Sequence, residues 1–265
     1  MTIENILLFV KNTPEAEALA TQATTLLADY PVAVHRWQWQ TPPPDVPHAL
    51  CLVIGGDGTF LAAAHQLHGR DIHLAGINLG HLGFLTDLDA AHLEAHLKRL
   101  LAADAPLETR PYYTCCAPSG CEVFVNDAVI QRQPDEKMLH FSIWVDEQLV
   151  TTSRADGLVI ATPTGSTAYN LSAGGPVLHP ALSGLVLSPL CPHTLTFRPV
   201  VIPPAPVRLR LESADTAALS LDGRRTISLQ TGDSLTVETS PHTFTLRHAN
   251  SMGFFGVLRR KMQWS

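Results

Sequence analysis

Ala49-Leu50-Cys51-Leu52-Val53-Ile54-Gly55-Gly56-Asp57-Gly58-Thr59-Phe60 is the stretch on which the reading of this chain turns. Residues 49–54 are short, continuous and apolar, as a strand covered on both faces should be, and an Ala-rich helical spacing runs from Leu61 to Leu67. Strand, glycine turn and helix follow one another, with three glycines around a single carboxylate. Glycine has no Cβ and tolerates φ > 0, so Gly55, Gly56 and Gly58 are expected to let main-chain N–H groups approach a charged ligand at a helix N-terminus, with Asp57 facing it. No Gly-Lys-Ser/Thr follows, and residue 61 is Leu where the dinucleotide fingerprint needs a third glycine, so neither familiar phosphate motif applies. A carboxylate centred in such a cradle repels an anion, which points Asp57 at a hydroxyl, a Mg²⁺ ion or both.

Upstream, Ile6 to Val10 reads as a buried strand. Thr13, Pro14, Glu15 and Glu17 then start a helix with an N-cap, an N1 proline and first-turn acids, running to about Tyr30. Residues 32–35 give a second strand and Pro42 to Pro44 an exposed linker. Downstream, residues 72–77 form another strand that enters the glycine-rich loop Asn78 to Asp87, and Asp89 caps a helix to about Leu101. Alternating strands and helices predict a parallel sheet with helices on both faces, its ligand beyond the carboxyl ends of the strands. His65/His68 and His92/His96 stand at helical spacing, but with no acidic third ligand in view they are expected to be surface or capping residues and not a metal site.

From about Pro111 the pattern changes to short alternating runs: 121–125, 128–131, 139–145, 148–152, 157–161, 207–211, 217–221, 226–229, 234–238 and 243–247. Asp146-Glu147, Asp222-Gly223 and Thr231-Gly232-Asp233 are turn signals between them, so packed antiparallel sheets with helical insertions are expected. A chain of 265 residues, 45% of them apolar, holds two domains comfortably. The net charge of −6 and the absence of a Lys/Arg run exclude a nucleic-acid footprint and a polybasic membrane surface, leaving a small-molecule ligand. Five cysteines without C-x-x-C spacing are expected as free thiols. The absence of a signal peptide or of a membrane-length apolar stretch points to the cytoplasm.

The longest run of chemistry-bearing residues is Asp156-Gly157-Leu158-Val159-Ile160-Ala161-Thr162-Pro163-Thr164-Gly165-Ser166-Thr167-Ala168-Tyr169-Asn170-Leu171-Ser172-Ala173-Gly174-Gly175-Pro176. A strand here ends in small hydroxyl and glycine residues that open a short helix, which can offer N–H and hydroxyl donors to a pyrophosphate or an adenine edge; Tyr169 adds a ring and one hydrogen bond. Asn126-Asp127 suits the hydroxyls and base of an adenosine, although the pair alone reads more readily as a turn. Asp222-Gly223 alone is a hairpin turn.

Gly55-Gly56-Asp57-Gly58-Thr59 resembles the signature of the NAD kinases and of the wider superfamily that includes diacylglycerol and sphingosine kinases. The loop 78–86 and the run 156–176 are similar to further NAD kinase motifs, as are Asn126-Asp127, where Asp127 stands in the usual place of a Glu, and Asp222-Gly223. With these motifs in family order, the resemblance covers nearly the whole chain. The resemblance implies an N-terminal Rossmann-like parallel α/β domain at 1–111, a C-terminal all-β sandwich at 112–247, and a segment at 248–265 that returns to the first domain. It implies phosphorylation of the 2′-hydroxyl of the adenosine ribose of NAD⁺ by ATP, or by another nucleotide or polyphosphate, with Mg²⁺ held mainly by the substrate phosphates. The alternatives are a lipid kinase of the same superfamily and an inactive NAD-binding regulator. Asp57 is then catalytic, with Gly55, Gly56 and Thr59 on the phosphate side. NAD⁺ is expected to meet Asp57, Gly58, Phe84, Asn126, Asp127, Lys137, Arg154, Asp156, Thr167, Ala168, Tyr169, Asn170, Leu171, Ser172 and Arg224. A homodimer or homotetramer formed through the β domain is implied as well.

Overall fold

Strand β3 (Ala49–Ile54) is buried along its whole length, as an apolar run with no alternation requires when both faces of a sheet are covered. The computed structural model describes residues 2–39, 41–213, 216–249 and 252–264. In chain order the first elements are β1 (Asn5–Val10), α1 (Pro14–Leu27), β2 (Ala33–Trp37), β3, α2 (Asp57–Gln66), β4 (His73–Asn78), β5 (Leu88–Asp89) and α3 (Leu93–Leu101). The β-rich part follows as β6 (Leu107–Ala117), β7 (Gly120–Phe124), β8 (Asp127–Arg132), β9 (Leu139–Val145), β10 (Gln148–Ala155), β11 (Gly157–Ala161), α4 (Tyr169–Ser172), β12 (Leu185–Leu190), β13 (Val200–Ile202), β14 (Val207–Ser213), β15 (Ala217–Leu221), β16 (Arg225–Leu229) and β17 (Ser234–Arg247), with α5 (Gly253–Met262) last. The chain divides into two compact units, residues 1–110 with 242–265 and residues 111–241.

In the first unit β2, β1, β3 and β4 lie side by side, all parallel, and the far end of β17 joins β4 through Thr245↔His73 and Leu246↔Leu74. Alternate residues of β1 and β3, Ile6, Leu8, Leu50, Leu52 and Ile54, pack with Ala16, Ala20, Ala23 and Leu27 of α1 and Leu93, Leu97 and Leu100 of α3. Helix α1 opens as its sequence predicts, with the Thr13 side chain accepting from Ala16 N at 3.4 Å and Pro14 at its start. It stops at Leu27, short of Tyr30, because Pro31 disfavours the helical conformation in the residue before it. The last helix lies in this unit: Phe254 approaches Phe84 with ring centroids 6.2 Å apart, and Val257 and Leu258 are buried. Of the expected final segment, Asn250, Ser251 and Ser265 lie outside the described residues. No helix among the described residues is long and apolar enough to cross a membrane.

A charged cluster ties the end of β17 to this unit. His248 stands 3.1 Å from Glu108 and 3.7 Å from Asp87, and Glu108 also accepts from Arg110 at 2.9 Å. Burial alone pulls the imidazole pKa down, but the two carboxylates outweigh it and raise it to about 9. Burial pushes the Glu108 carboxyl up, and His248 with Arg110 overcomes that and holds it at about 2. The raised His248 stabilises the fold fully below its ordinary value of 6.5 and loses that contribution as pH rises through about 9. The denaturant midpoint is therefore expected to fall between those values, by at most about 3 kcal/mol of stability, and to flatten in His248→Gln. Urea titrations of both proteins across that range check it.

The second unit is a sandwich. One sheet has the order β10-β9-β14-β17, using the first half of β17, and the other β13-β12-β11-β8-β15-β16, all antiparallel. Inward residues of both sheets, among them Phe141, Ile143, Leu209 and Val237 facing Ile130, Leu158, Ile160 and Leu219, form one core. Two expected strands, 234–238 and 243–247, are a single strand, β17. Pro241 falls between the part paired with β14 and the part paired with β4. Strand β12 runs through Pro189, and a reading that treats proline as punctuation misses it.

The cysteines require a correction. Cys116 and Cys121 form a disulfide, with Cα atoms 4.0 Å apart, while Cys51, Cys115 and Cys191 are free. The two half-cystines are register partners of the β6–β7 hairpin, a proximity created by strand pairing and not by C-x-x-C spacing.

Candidate active site

The glycine turn is tighter than its sequence predicts. Helix α2 begins at Asp57 itself, with Gly56 as N-cap, so the turn between β3 and α2 is only Gly55-Gly56. None of Gly55, Gly56 and Gly58 takes a positive φ, and their purpose is space. A Cβ on Gly55 would stand 2.5 Å from Thr59 Oγ1, whereas Gly56 and Gly58 have nothing within 4 Å of the position a Cβ would take. Thr59 is thereby buried beneath the turn, and the exposed backbone of Gly56 and Gly58 borders open space at a helix N-terminus.

Asp57 is half-buried and its carboxylate is held by the loop after β4. Oδ1 accepts from Leu85 N (3.0 Å), Thr86 N (3.1 Å) and Thr86 Oγ1 (3.0 Å), while Oδ2 accepts, among the described residues, from Phe84 N alone (2.9 Å). That leaves Oδ2 with acceptor capacity. Gly83 makes the approach possible, since a Cβ there would fall 2.0 Å from Asp57 Oδ1. The loop is fixed in turn by Asn78, which donates to Thr86 O (3.1 Å) and Leu88 O (3.0 Å) and accepts from Gly80 N (3.0 Å). Phe84 is half-buried under Lys261, whose Nζ lies 5.1 Å from the ring centroid. Asn78, Gly83 and Thr86 are positioning residues that the sequence signals only through the glycine-rich loop around them.

In the second unit Asp222 draws the Asn126-Asp127 stretch together. At the β15–β16 turn, with φ 51° at Asp222, its carboxylate accepts from Val125 N (2.8 Å), Asn126 N (2.7 Å) and Asp127 N (3.1 Å). Thr162 N donates to Asn126 O (2.9 Å), and a Cβ on Gly165 would lie 1.9 Å from that oxygen, so the start of the 3₁₀ turn 164–167 is seated on Asn126. Asn126 Oδ1 is buried without a hydrogen-bond partner among the described residues, an arrangement that costs about 1–3 kcal/mol unless a ligand supplies the donor. Asp127 is buried. Burial first, and Asp222 second, push its carboxyl up to about 7, against one hydrogen bond from Tyr169 N.

The remaining candidates separate by exposure. Thr167 and Ala168 are half-buried beside the turn, and Tyr169, Leu171 and Ser172 are exposed on α4. Asn170 faces inward: its amide donates to Ser166 O and Pro176 O at 3.0 Å each and accepts from Ser188 Oγ at 2.7 Å, so it shapes the segment from within. Asp156 pairs with Arg132 at 2.7 Å. Lys137, Arg154 and Arg224 are exposed, and of these Arg224 alone follows Asp222 on its turn. Two sets of residues are assembled, one around Asp57 and one around Asn126, Asp127 and Asp222.

Residues 9–105 match the family model of the ATP-NAD kinase N-terminal domain, and residues 125–249 that of the C-terminal domain. The chain is 40% identical over 226 residues to an NAD kinase of Methylibium petroleiphilum, covering 82% of this chain and 75% of that one. It is 41% identical over 221 residues to an NAD kinase of Acidovorax ebreus, covering 81% and 74%. Among solved structures, yeast NADH kinase complexed with NADH superposes with a TM-score of 0.87 at 24% identity, over 100% of this chain and 89% of that one. An NAD kinase from Archaeoglobus fulgidus in complex with ATP gives 0.81 at 25% identity, over 97% and 99%. With both family domains matched in order and relatives near 40% identity over four-fifths of its length, the chain belongs to the NAD kinase family.

Proposed function

We propose that Asp57 accepts the proton of the 2′-hydroxyl of the adenosine ribose of NAD⁺ while that oxygen attacks the γ-phosphorus of ATP. The bond to the bridging oxygen breaks, and NADP⁺ and ADP leave. The observation that carries this is the unequal loading of the Asp57 carboxylate: three donors fix Oδ1, and Oδ2 keeps a lone pair for the hydroxyl. Phosphoryl transfer leaves little covalent work to the protein, so a base fixed by a rigid loop is what alignment requires. Mg²⁺ enters with the donor phosphates as part of that substrate and spreads their charge. ATP as donor is supported by the Archaeoglobus fulgidus relative.

Asn126 and Asp127 are assigned to the adenosine moiety. The unpartnered Asn126 Oδ1 awaits a donor, and ionised Asp127 accepts from a hydroxyl. The half-buried Thr167 and Ala168 and the exposed Tyr169 complete this assignment, and Arg224 supplies charge for a phosphate. Because Asp127 changes charge near 7, NAD⁺ affinity is expected to improve about tenfold as pH rises from one unit below that value to one unit above it. Calorimetric titration of wild type and Asp127→Asn checks this, the variant showing no such dependence.

We place the protein in the cytoplasm, which the two buried free thiols Cys51 and Cys115 support. In a reducing compartment Cys116 and Cys121 stand as facing thiols. Assembly as a dimer or tetramer through the β-rich unit is supported by exposed apolar residues on its sheet edges, Leu149 and Val150 on β10 and Val200 and Val201 on β13. The reaction itself is tested by a coupled assay for NADP⁺ formation from NAD⁺, ATP and Mg²⁺. Binding of NAD⁺ without product, with ATP and then with polyphosphate, would overturn the catalytic reading.

A further inference from the structure

His92 and His96, for which no acidic partner was expected, are joined by Asp89, and one ligand atom from each of the three lies within 4.8 Å of the others. Asp89 ends β5 and caps the 3₁₀ turn 90–92, accepting from His92 N at 3.0 Å. Its Oδ1 meets His92 Nδ1 at 2.6 Å, and its Oδ2 stands 3.8 Å from His96 Nε2. The capping bend folds the carboxylate back over the helix, onto the face that carries residues 92 and 96.

His96 makes this more than a surface ion pair. Its side chain is 12% exposed, and Nε2 is shut off from solvent without a hydrogen-bond partner among the described residues, since 3.8 Å is too long for one. A buried, unpaired ring nitrogen aimed at a carboxylate oxygen is destabilising as it stands and is satisfied by a cation between the two. Two metal bonds of about 2.0–2.1 Å meeting at a tetrahedral centre separate their donors by roughly 3.3 Å, so a shift of about half an ångström closes the site. His92, 70% exposed, is free to swing onto the same ion.

We propose that Asp89, His92 and His96 form a binding site for a divalent transition metal of the Zn²⁺ class. Two imidazoles and one carboxylate suit such ions and not Mg²⁺, which prefers oxygen ligands, so the Mg²⁺ that accompanies the donor does not compete. A three-residue site leaves at least one position to water. The site also touches the reaction machinery: Asp89 is the register partner of Asn78, the residue that fixes the loop holding Asp57. An ion there stiffens β5 at the foot of that loop.

The test uses the full chain, stripped with a chelator, and titrates Zn²⁺ against a chromogenic competitor in the presence of excess Mg²⁺. Co²⁺ absorption reports coordination number separately. One equivalent of Zn²⁺ is expected to bind with a micromolar or lower dissociation constant, weakened at least about tenfold in His92→Ala and in His96→Gln and unchanged in His193→Ala. His92 is exposed, so its alanine variant keeps the fold even where the His96 variant loses stability, and circular dichroism verifies both. Binding that is unaltered in His92→Ala and His96→Gln, or no saturable binding below about 100 µM, overturns the proposal.

Discussion

Asp57→Asn is expected to lower turnover at saturating NAD⁺ and ATP by at least about 100-fold, while the NAD⁺ dissociation constant stays within about threefold. Among the described residues the carboxylate meets four donors and no acceptor, so an amide cannot replace it silently. If the amide oxygen takes the place of Oδ1 and keeps Leu85 N and both groups of Thr86, the NH₂ faces Phe84 N, donor against donor. The position from which Oδ2 would accept the ribose proton is then occupied by hydrogens. If the amide turns over, three donors lose their acceptor and the loop loosens. Either arrangement costs about 1–3 kcal/mol locally, so single-turnover rates must be read beside thermal midpoints and calorimetric NAD⁺ affinities. A folded Asp57→Asn protein with normal affinity and turnover within a few-fold of the parent would falsify the assignment of the base.

Gly83→Ala should be nearly as damaging although it removes no chemical group. The new methyl would lie 2.0 Å from Asp57 Oδ1 and 2.3 Å from Thr86 Oγ1, inside any permitted contact, so the loop must withdraw from the carboxylate. A loss of turnover on the order of 100-fold is expected, because misplacing a catalytic group by about an ångström has that effect. Gly56→Ala is the matched comparison. Its Cβ meets nothing within 4 Å and its φ of −98° suits any residue, so the thermal midpoint should hold while KM for the nucleotides rises. Steady-state kinetics and thermal melts of the two variants separate a glycine needed for packing from one needed for ligand space. Equal melting points with undiminished turnover in Gly83→Ala would show that the loop does not position Asp57.

Much of the architecture is written in local pattern. Strands 49–54, 139–145, 157–161 and 217–221 fall where hydrophobic runs and turn residues put them, since burial on one or both faces leaves a periodic trace in the sequence. The change at Pro111 from strand–helix alternation to short strands divides an α/β unit from a β unit for the same reason. The glycine turn before α2 was legible because its residues are adjacent, and its membership among the NAD kinases followed from the order of such motifs.

What periodicity does not carry is which distant groups complete a site. Asp57 is bound by residues 27 to 29 positions later, and Asp222 holds backbone N–H groups 95 to 97 positions earlier. A side chain that bonds to another segment's backbone needs no particular residue there, because every non-proline N–H donates alike, so the partner leaves no mark in the sequence. The same holds for the Cys116–Cys121 bridge, made by hairpin register, and for Asp89, whose carboxylate reaches His92 and His96 only through the bend it caps. The sequence by itself determined the two-domain architecture, the family and the acidic residue at the turn. Only the tertiary structure decided which oxygen of Asp57 carries the fewer hydrogen bonds, which buried acceptor of Asn126 lacks a donor among the described residues, and which histidines Asp89 meets.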